Sequence, residues 1–270
     1  MHPIERLRMV ARASGQDPGM VAREAAAALA GCADDPMTLV TACRRLVDRQ
    51  STAGPVWWLA ARVVAAADPE AEAWRAAEEL YSDPTPGVLA AALPEDARVT
   101  VLGWPEQAGE AVHRRGDVSA LVVDSLGDGS SLVRSLQRAG SDADLVPEAG
   151  TAAAVASSAL LLLEAGALGA GGFLAVTGSR AAAAVAYTEE IPVWVVAGVG
   201  RVLPDRLWRA AARSVVDHPE PWNAECELVP LELVTAVIGP DGPEAPADAL
   251  ARSAGCPEAP ELLGGTMGRG

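Results

Sequence analysis

Arg98-Val-Thr-Val-Leu-Gly103 and Ser119-Ala-Leu-Val-Val-Asp124 are short runs that are apolar at successive positions, not at every second one. A strand with one face in water alternates; one apolar throughout is covered on both faces, as in a parallel sheet between two helix layers. Three further runs follow, Ala143-Asp-Leu-Val-Pro147, Ala159-Leu-Leu-Leu-Leu163 and Pro192-Val-Trp-Val-Val-Ala197. Ala-rich segments with helical spacing separate or follow them, over 105–115, 129–139, 148–157, 178–189 and 204–216. That alternation predicts an α/β domain with a mainly parallel, Rossmann-like sheet. Ligands of such sheets sit at the carboxyl ends of the strands. The rule selects Gly103-Trp104, Asp124-Ser125, Glu164 to Gly172, Gly178-Ser179-Arg180 and Gly198 to Arg201.

Working back toward the amino terminus, the pattern changes. The pairs Asp17-Pro18, Asp35-Pro36 and Asp68-Pro69 each open an Ala/Leu/Arg-rich run, over 18–31, 36–50 and 69–81. Aspartate accepts hydrogen bonds from the free N–H groups of a first helical turn, and proline next to it is preset for helical φ. Ile4, Leu7, Met9 and Val10 suggest an earlier helix, and Pro55-Val-Trp-Trp-Leu-Ala-Ala-Arg-Val-Val64 a more buried one, with Trp57 and Trp58 in its core. Ser82-Asp-Pro-Thr-Pro-Gly87 is the clearest internal punctuation. The expected division is a helical domain over 1–82, a Rossmann-like domain over 83–243 opening with a short helix at 87–93, and a flexible tail over 244–270 rich in Pro, Gly and Ala.

Composition narrows the function classes. The formal charge is −15 and the sequence pI about 4.6. A field of that sign repels phosphate backbones and anionic lipid, which argues against nucleic-acid and membrane partners. All 21 basic residues are arginine, which excludes a Schiff-base or P-loop lysine. Cys32, Cys43, Cys226 and Cys256 show no metal-ligand spacing and read as buried free thiols of a reducing compartment. The opening residues lack the apolar core of a signal peptide, so a cytoplasmic location is expected. Thr151 to Val176 is long and nearly uncharged, but Glu164 and the glycines around it fit a helix, a buried strand and a glycine loop in series better than a membrane span.

The glycines of Gly166-Ala-Leu-Gly-Ala-Gly-Gly172 do not open directly into a helix as a dinucleotide fingerprint requires, so no cofactor is expected and the segment reads as a tight loop. Glu164 is the best-placed carboxylate, either as an acid or base with a raised pKa or as the cap of a neighbouring helix. Gly178, Ser179 and Arg180 open a helix and combine free N–H groups, a hydroxyl and a guanidinium, a combination suited to phosphate or to ordinary capping. Trp104, at a strand end, is a candidate pocket wall. The three histidines have no spacing suggesting metal or a triad.

Two stretches carry a resemblance. Trp222-Asn-Ala-Glu-Cys-Glu-Leu-Val-Pro230-Leu-Glu-Leu-Val-Thr-Ala-Val-Ile238 is similar to the "NPxFDVTPPELITAIIT" signature of the initiation factor 2B alpha/beta/delta family, which includes methylthioribose-1-phosphate and ribose-1,5-bisphosphate isomerases. Leu160 to Gly172 with Ile191 to Ala197 resembles that family's "LVLVGADAVLANGGVINKIGT…VPFYVVA" region. The resemblance implies a helical part before a Rossmann-like domain, and a homodimer. It also implies what is missing: the family's catalytic aspartate falls on Ala165, its Asn-Lys pair on Ala175 and Val176, and the isomerases' cysteine near Pro105. Methyl and pyrrolidine groups move no protons. Gly178-Ser179 retains the family's Gly-Thr, Arg201 stands where a lysine is usual, and Arg49, Ser51 and Thr52 stand where members carry Arg-Pro-Ser or Arg-Pro-Thr. The expectation is a non-catalytic relative binding a small phosphorylated ligand (sugar phosphate or nucleotide) through Arg49, Ser51, Trp104, Gly178, Ser179, Arg180 and Arg201, or a protein partner. The alternative is a sugar-phosphate isomerase or lyase using Glu164 or Asp124.

Overall fold

The computed structural model describes residues 18–263. The helix expected around Ile4 to Val10 and the Asp17 cap lie outside the described residues. The helices Pro18–Ala30 (α1), Pro36–Arg49 (α2), Gly54–Ala65 (α3) and Pro69–Tyr81 (α4) begin at or beside proline, as the Asp-Pro pairs predict. Asp35 accepts from the Met37 N–H at 3.0 Å, and Asp68 from the Ala71 N–H at 3.0 Å. Helix α3 is buried on most sides, including Trp57 and Trp58. A short helix, Thr85–Ala92 (α5), leads into the sheet.

Seven strands form the main sheet. In chain order they include Arg98–Leu102 (β1), Ser119–Val123 (β2), Ala143–Val146 (β3) and Leu160–Glu164 (β4). Next come a hairpin, Ala167–Gly169 (β5) and Gly172–Val176 (β6), then Val193–Val196 (β7), Cys226–Val229 (β8), Ala236–Gly239 (β9) and Gly242–Glu244 (β10). The sheet order is β10-β9-β7-β4-β1-β2-β3. All its pairings are parallel except β9 with β10. The Val/Leu runs behave as predicted: Leu160 to Leu163 are buried and β1 is buried after its first residue. Strand β3 departs from the pattern, since it forms the edge and exposes Asp144 and Leu145.

Five helices connect the strands: Glu106–Arg114 (α6), Gly129–Arg138 (α7), Thr151–Ala156 (α8), Ser179–Thr188 (α9) and Asp205–Val216 (α10). The uncharged Thr151–Val176 stretch resolves into α8, β4 and the β5–β6 hairpin, and no helix among the described residues is long and apolar enough to cross a membrane. The glycine loop is the hairpin turn. A Cβ on Gly169 would lie 2.3 Å from the Trp208 ring, so only glycine lets the hairpin pack against α10. Strands β5 and β6 pair with β8 in a second, three-stranded antiparallel sheet that no periodicity revealed.

The helical part and the sheet share a core. One hydrophobic cluster joins Leu29, Leu46 and Leu59 to Leu174, Leu207 and Trp208. The Gly54 N–H donates to Gly166 O at 2.8 Å across the junction.

The described part of the segment read as a flexible tail, residues 244–263, packs against the rest of the chain. Strand β10 extends the main sheet, Pro246–Ala249 (α11) follows, and Ala249, Cys256 and Leu262 are buried. Arg252 donates to Ala197 O at 2.7 Å, and Arg44 to Glu261 O at 2.6 Å. Proline and glycine here start a helix and turn a strand, and the few apolar side chains between them serve as anchors.

Candidate functional site

A cavity of about 570 Å³ opens at the carboxyl ends of β1 and β4, between them and β6. The topology predicts a cleft there. Trp104, Glu164, Ser179 and Arg201 line it, as the sequence suggests. Pro105, Ala175 and Val176 line it too, so three of the positions where the resemblance places proton-transferring groups face the cavity with inert ones. Ala165 lies beside it, fully buried.

Other expected residues are not gathered there. Arg49 is exposed, and Ser51 Oγ lies 2.9 Å from Ser214 Oγ; Thr52 is the residue of that segment on the cavity wall. The Arg180 side chain is exposed. Asp124 accepts from the Gly129 N–H at 3.0 Å and so caps α7. Gly178, at φ +93°, makes the left-handed turn that starts α9.

Glu164 settles into the capping role. Its Oε2 accepts from the N–H groups of Gln107 at 2.8 Å and Ala108 at 3.2 Å, the first-turn donors of α6. Its Oε1 lies 3.0 Å from Arg201 Nη2, and both side chains are nearly buried. Arg201 also donates to Ala165 O at 2.6 Å. A carboxylate holding two backbone donors and a guanidinium is positioned as structure, and a buried pair of this kind is costly to break.

Helix α9 has a similar cap from a distance. Glu227, on β8, accepts from the Arg180 N–H at 2.8 Å. Ser179, fully buried on the cavity wall, has an Oγ with no hydrogen-bond partner. Such an atom costs about 1–3 kcal/mol when nothing meets it.

The wall also includes Met20, Glu106, Leu126, Asp128, Glu225 and Cys226, none of which the sequence reading selected. Glu225 and Cys226 left a trace there, inside the Trp222–Ile238 stretch, with Cys226 read as a buried thiol. Burial first, and the neighbouring Glu227 charge second, push the Cys226 thiol up to about 12. It is therefore a neutral thiol near pH 7 and a poor nucleophile. No group of three or more His, Cys, Asp or Glu side chains able to hold a metal occurs among the described residues.

The fold has many solved counterparts. Translation initiation factor eIF-2B of Pyrococcus horikoshii OT3 is 12% identical, with 92% of this chain and 98% of that chain covered at a TM-score of 0.77. The fold is that of the initiation factor 2B family. The eIF2B beta subunit of Chaetomium thermophilum is 14% identical, covering 96% of this chain and 92% of that one at a TM-score of 0.73. The 5-methylthioribose 1-phosphate isomerase of P. horikoshii OT3 is also 14% identical, with coverages of 93% and 87% and a TM-score of 0.65. These agree with the family that the sequence resembles, and identities this low speak for the fold alone. No family model and no curated protein matches the sequence.

Proposed function

We propose that this chain is a non-catalytic protein of the initiation factor 2B fold that acts by associating with protein, as a homodimer in the first instance. One observation carries the reading. The helix starts at the cleft already hold carboxylates of the chain itself, Glu164 on α6, Asp124 on α7 and Glu227 on α9. A phosphate would need those same N–H groups and the positive end of the helix. The rest of the wall points the same way. Among the described residues, Glu106, Asp128, Glu164 and Glu225 line the cavity against one guanidinium, Arg201, which is paired with Glu164. A phosphorylated ligand meets repulsion there, which favours the protein partner among the two expected classes.

The enzymatic alternative fares no better. Glu164 and Asp124 are both engaged at helix starts, and Asp124 is not on the cavity wall. Assembly has a precedent in the fold, since one structural neighbour is a tetrameric eIF2B beta-delta complex of C. thermophilum. Light scattering on the purified protein at micromolar concentration tests the reading: a particle of twice the 27.6 kDa chain mass is expected. A monomer across that range, or measurable turnover of 5-methylthioribose 1-phosphate that Glu164→Gln abolishes, would overturn it.

A further inference from the structure

The cleft that repels phosphate is well made for the opposite charge. We propose that it binds a small organic cation, an alkyl compound ending in a protonated amine or guanidinium. This goes beyond the assembly role and does not depend on it.

The volume of about 570 Å³ is that of a small-molecule pocket. Asp128 and Glu225 offer exposed carboxylates on its wall, and the lining cation among the described residues, Arg201, is buried and paired. Ser179 is the second, independent indication. Its side chain is fully buried at the cavity and its Oγ lacks a partner. A hydroxyl accepts as well as donates, and an ammonium group brings three donors and no acceptor. The positive end of α9, which would otherwise oppose a cation beside Ser179, is offset by Glu227 on the Arg180 N–H.

Two apolar side chains complete the fit. Trp104 is 47% exposed at the cavity, where an indole face attracts a cation and an alkyl chain alike. Leu126 stands at the same cavity with φ +58°, a conformation uncommon for a branched side chain. The −15 charge of the chain raises the local concentration of any such ligand.

Agmatine and putrescine are the probes, with ribose 5-phosphate as the anionic comparison, in calorimetry and thermal-shift titrations of the full chain. Saturable agmatine or putrescine binding and a raised Tm are expected, with no shift from ribose 5-phosphate. Ser179→Ala, which removes only an unpartnered atom, and the exposed change Asp128→Asn should each weaken binding about fivefold, the equivalent of one good hydrogen bond. Glu70→Gln, on the exposed surface of α4, should leave it unchanged. Absence of amine binding, equal affinity in Ser179→Ala and Asp128→Asn, an equal loss in Glu70→Gln, or a shift from ribose 5-phosphate in its place would each overturn the proposal.

Discussion

Helix starts in the amino-terminal part and helix starts at the cleft use the same chemistry across very different lengths of chain. Asp35 and Asp68 cap α2 and α4 from the position next to the helix. Glu164 caps α6 from 57 and 56 residues away, and Glu227 caps α9 from 47. The local caps fix where a helix begins. The distant ones tie a helix start to a strand end, and so also decide what the cleft can bind. A donor satisfied by the chain's own carboxylate is no longer offered to a ligand.

The sharpest break in that comparison comes from removing the buried distant cap. Glu164→Ala takes away the acceptor of two N–H groups and leaves the Arg201 guanidinium buried beside an empty space. A loss of about 3–5 kcal/mol is expected, because removing one partner of a buried ion pair costs far more than losing an exposed contact. Chemical denaturation would measure it as a fall in midpoint with little change in slope. Asp68→Ala should cost about 1 kcal/mol, the usual value of a single cap, and Asp35→Ala should lower the midpoint in the same direction and by less than Glu164→Ala. If the local caps cost as much as Glu164, the buried pair contributes nothing special and the distinction between the two kinds of helix start collapses.

The same difference in span explains what could be read from the sequence. Asp-Pro pairs announced α2 and α4 because cap and helix are adjacent. Continuous Val/Leu runs announced β1, β2, β4 and β7 because burial on both faces leaves its mark on every residue. The second sheet escaped notice because β5 is three residues long and β8, the partner of β6, lies beyond α10. The order around the carboxyl terminus escaped for a related reason: Arg252 on Ala197 O and Leu262 in the bundle core are contacts made by single residues in a stretch of turn-forming composition. At the cleft, the wall positions Trp104, Ser179 and Arg201 followed from strand ends, a rule of topology. The sign of the cleft did not follow, since Glu225 and Glu227 come from β8 and its approach and Asp128 from the turn before α7.

Removing Glu227 gives the smallest stability effect and tests the comparison most directly. Its bond to the Arg180 N–H is exposed, so Glu227→Ala should cost about 0.3–1 kcal/mol, the range for a charge at an exposed helix start. The informative change lies in binding. The variant frees the Arg180 N–H beside the unpartnered Ser179 Oγ and lifts one negative charge from the region. A helix start with free donors and a nearby hydroxyl is a general anion site. Ribose 5-phosphate, expected to leave the wild-type Tm unchanged, should therefore raise the Tm of Glu227→Ala, and Glu227→Ala/Ser179→Ala should lose part of that gain. An unchanged, null response in Glu227→Ala would mean that the wall carboxylates Glu106, Asp128 and Glu225 govern the cleft by themselves, and that the distant cap does nothing beyond fastening α9 to β8.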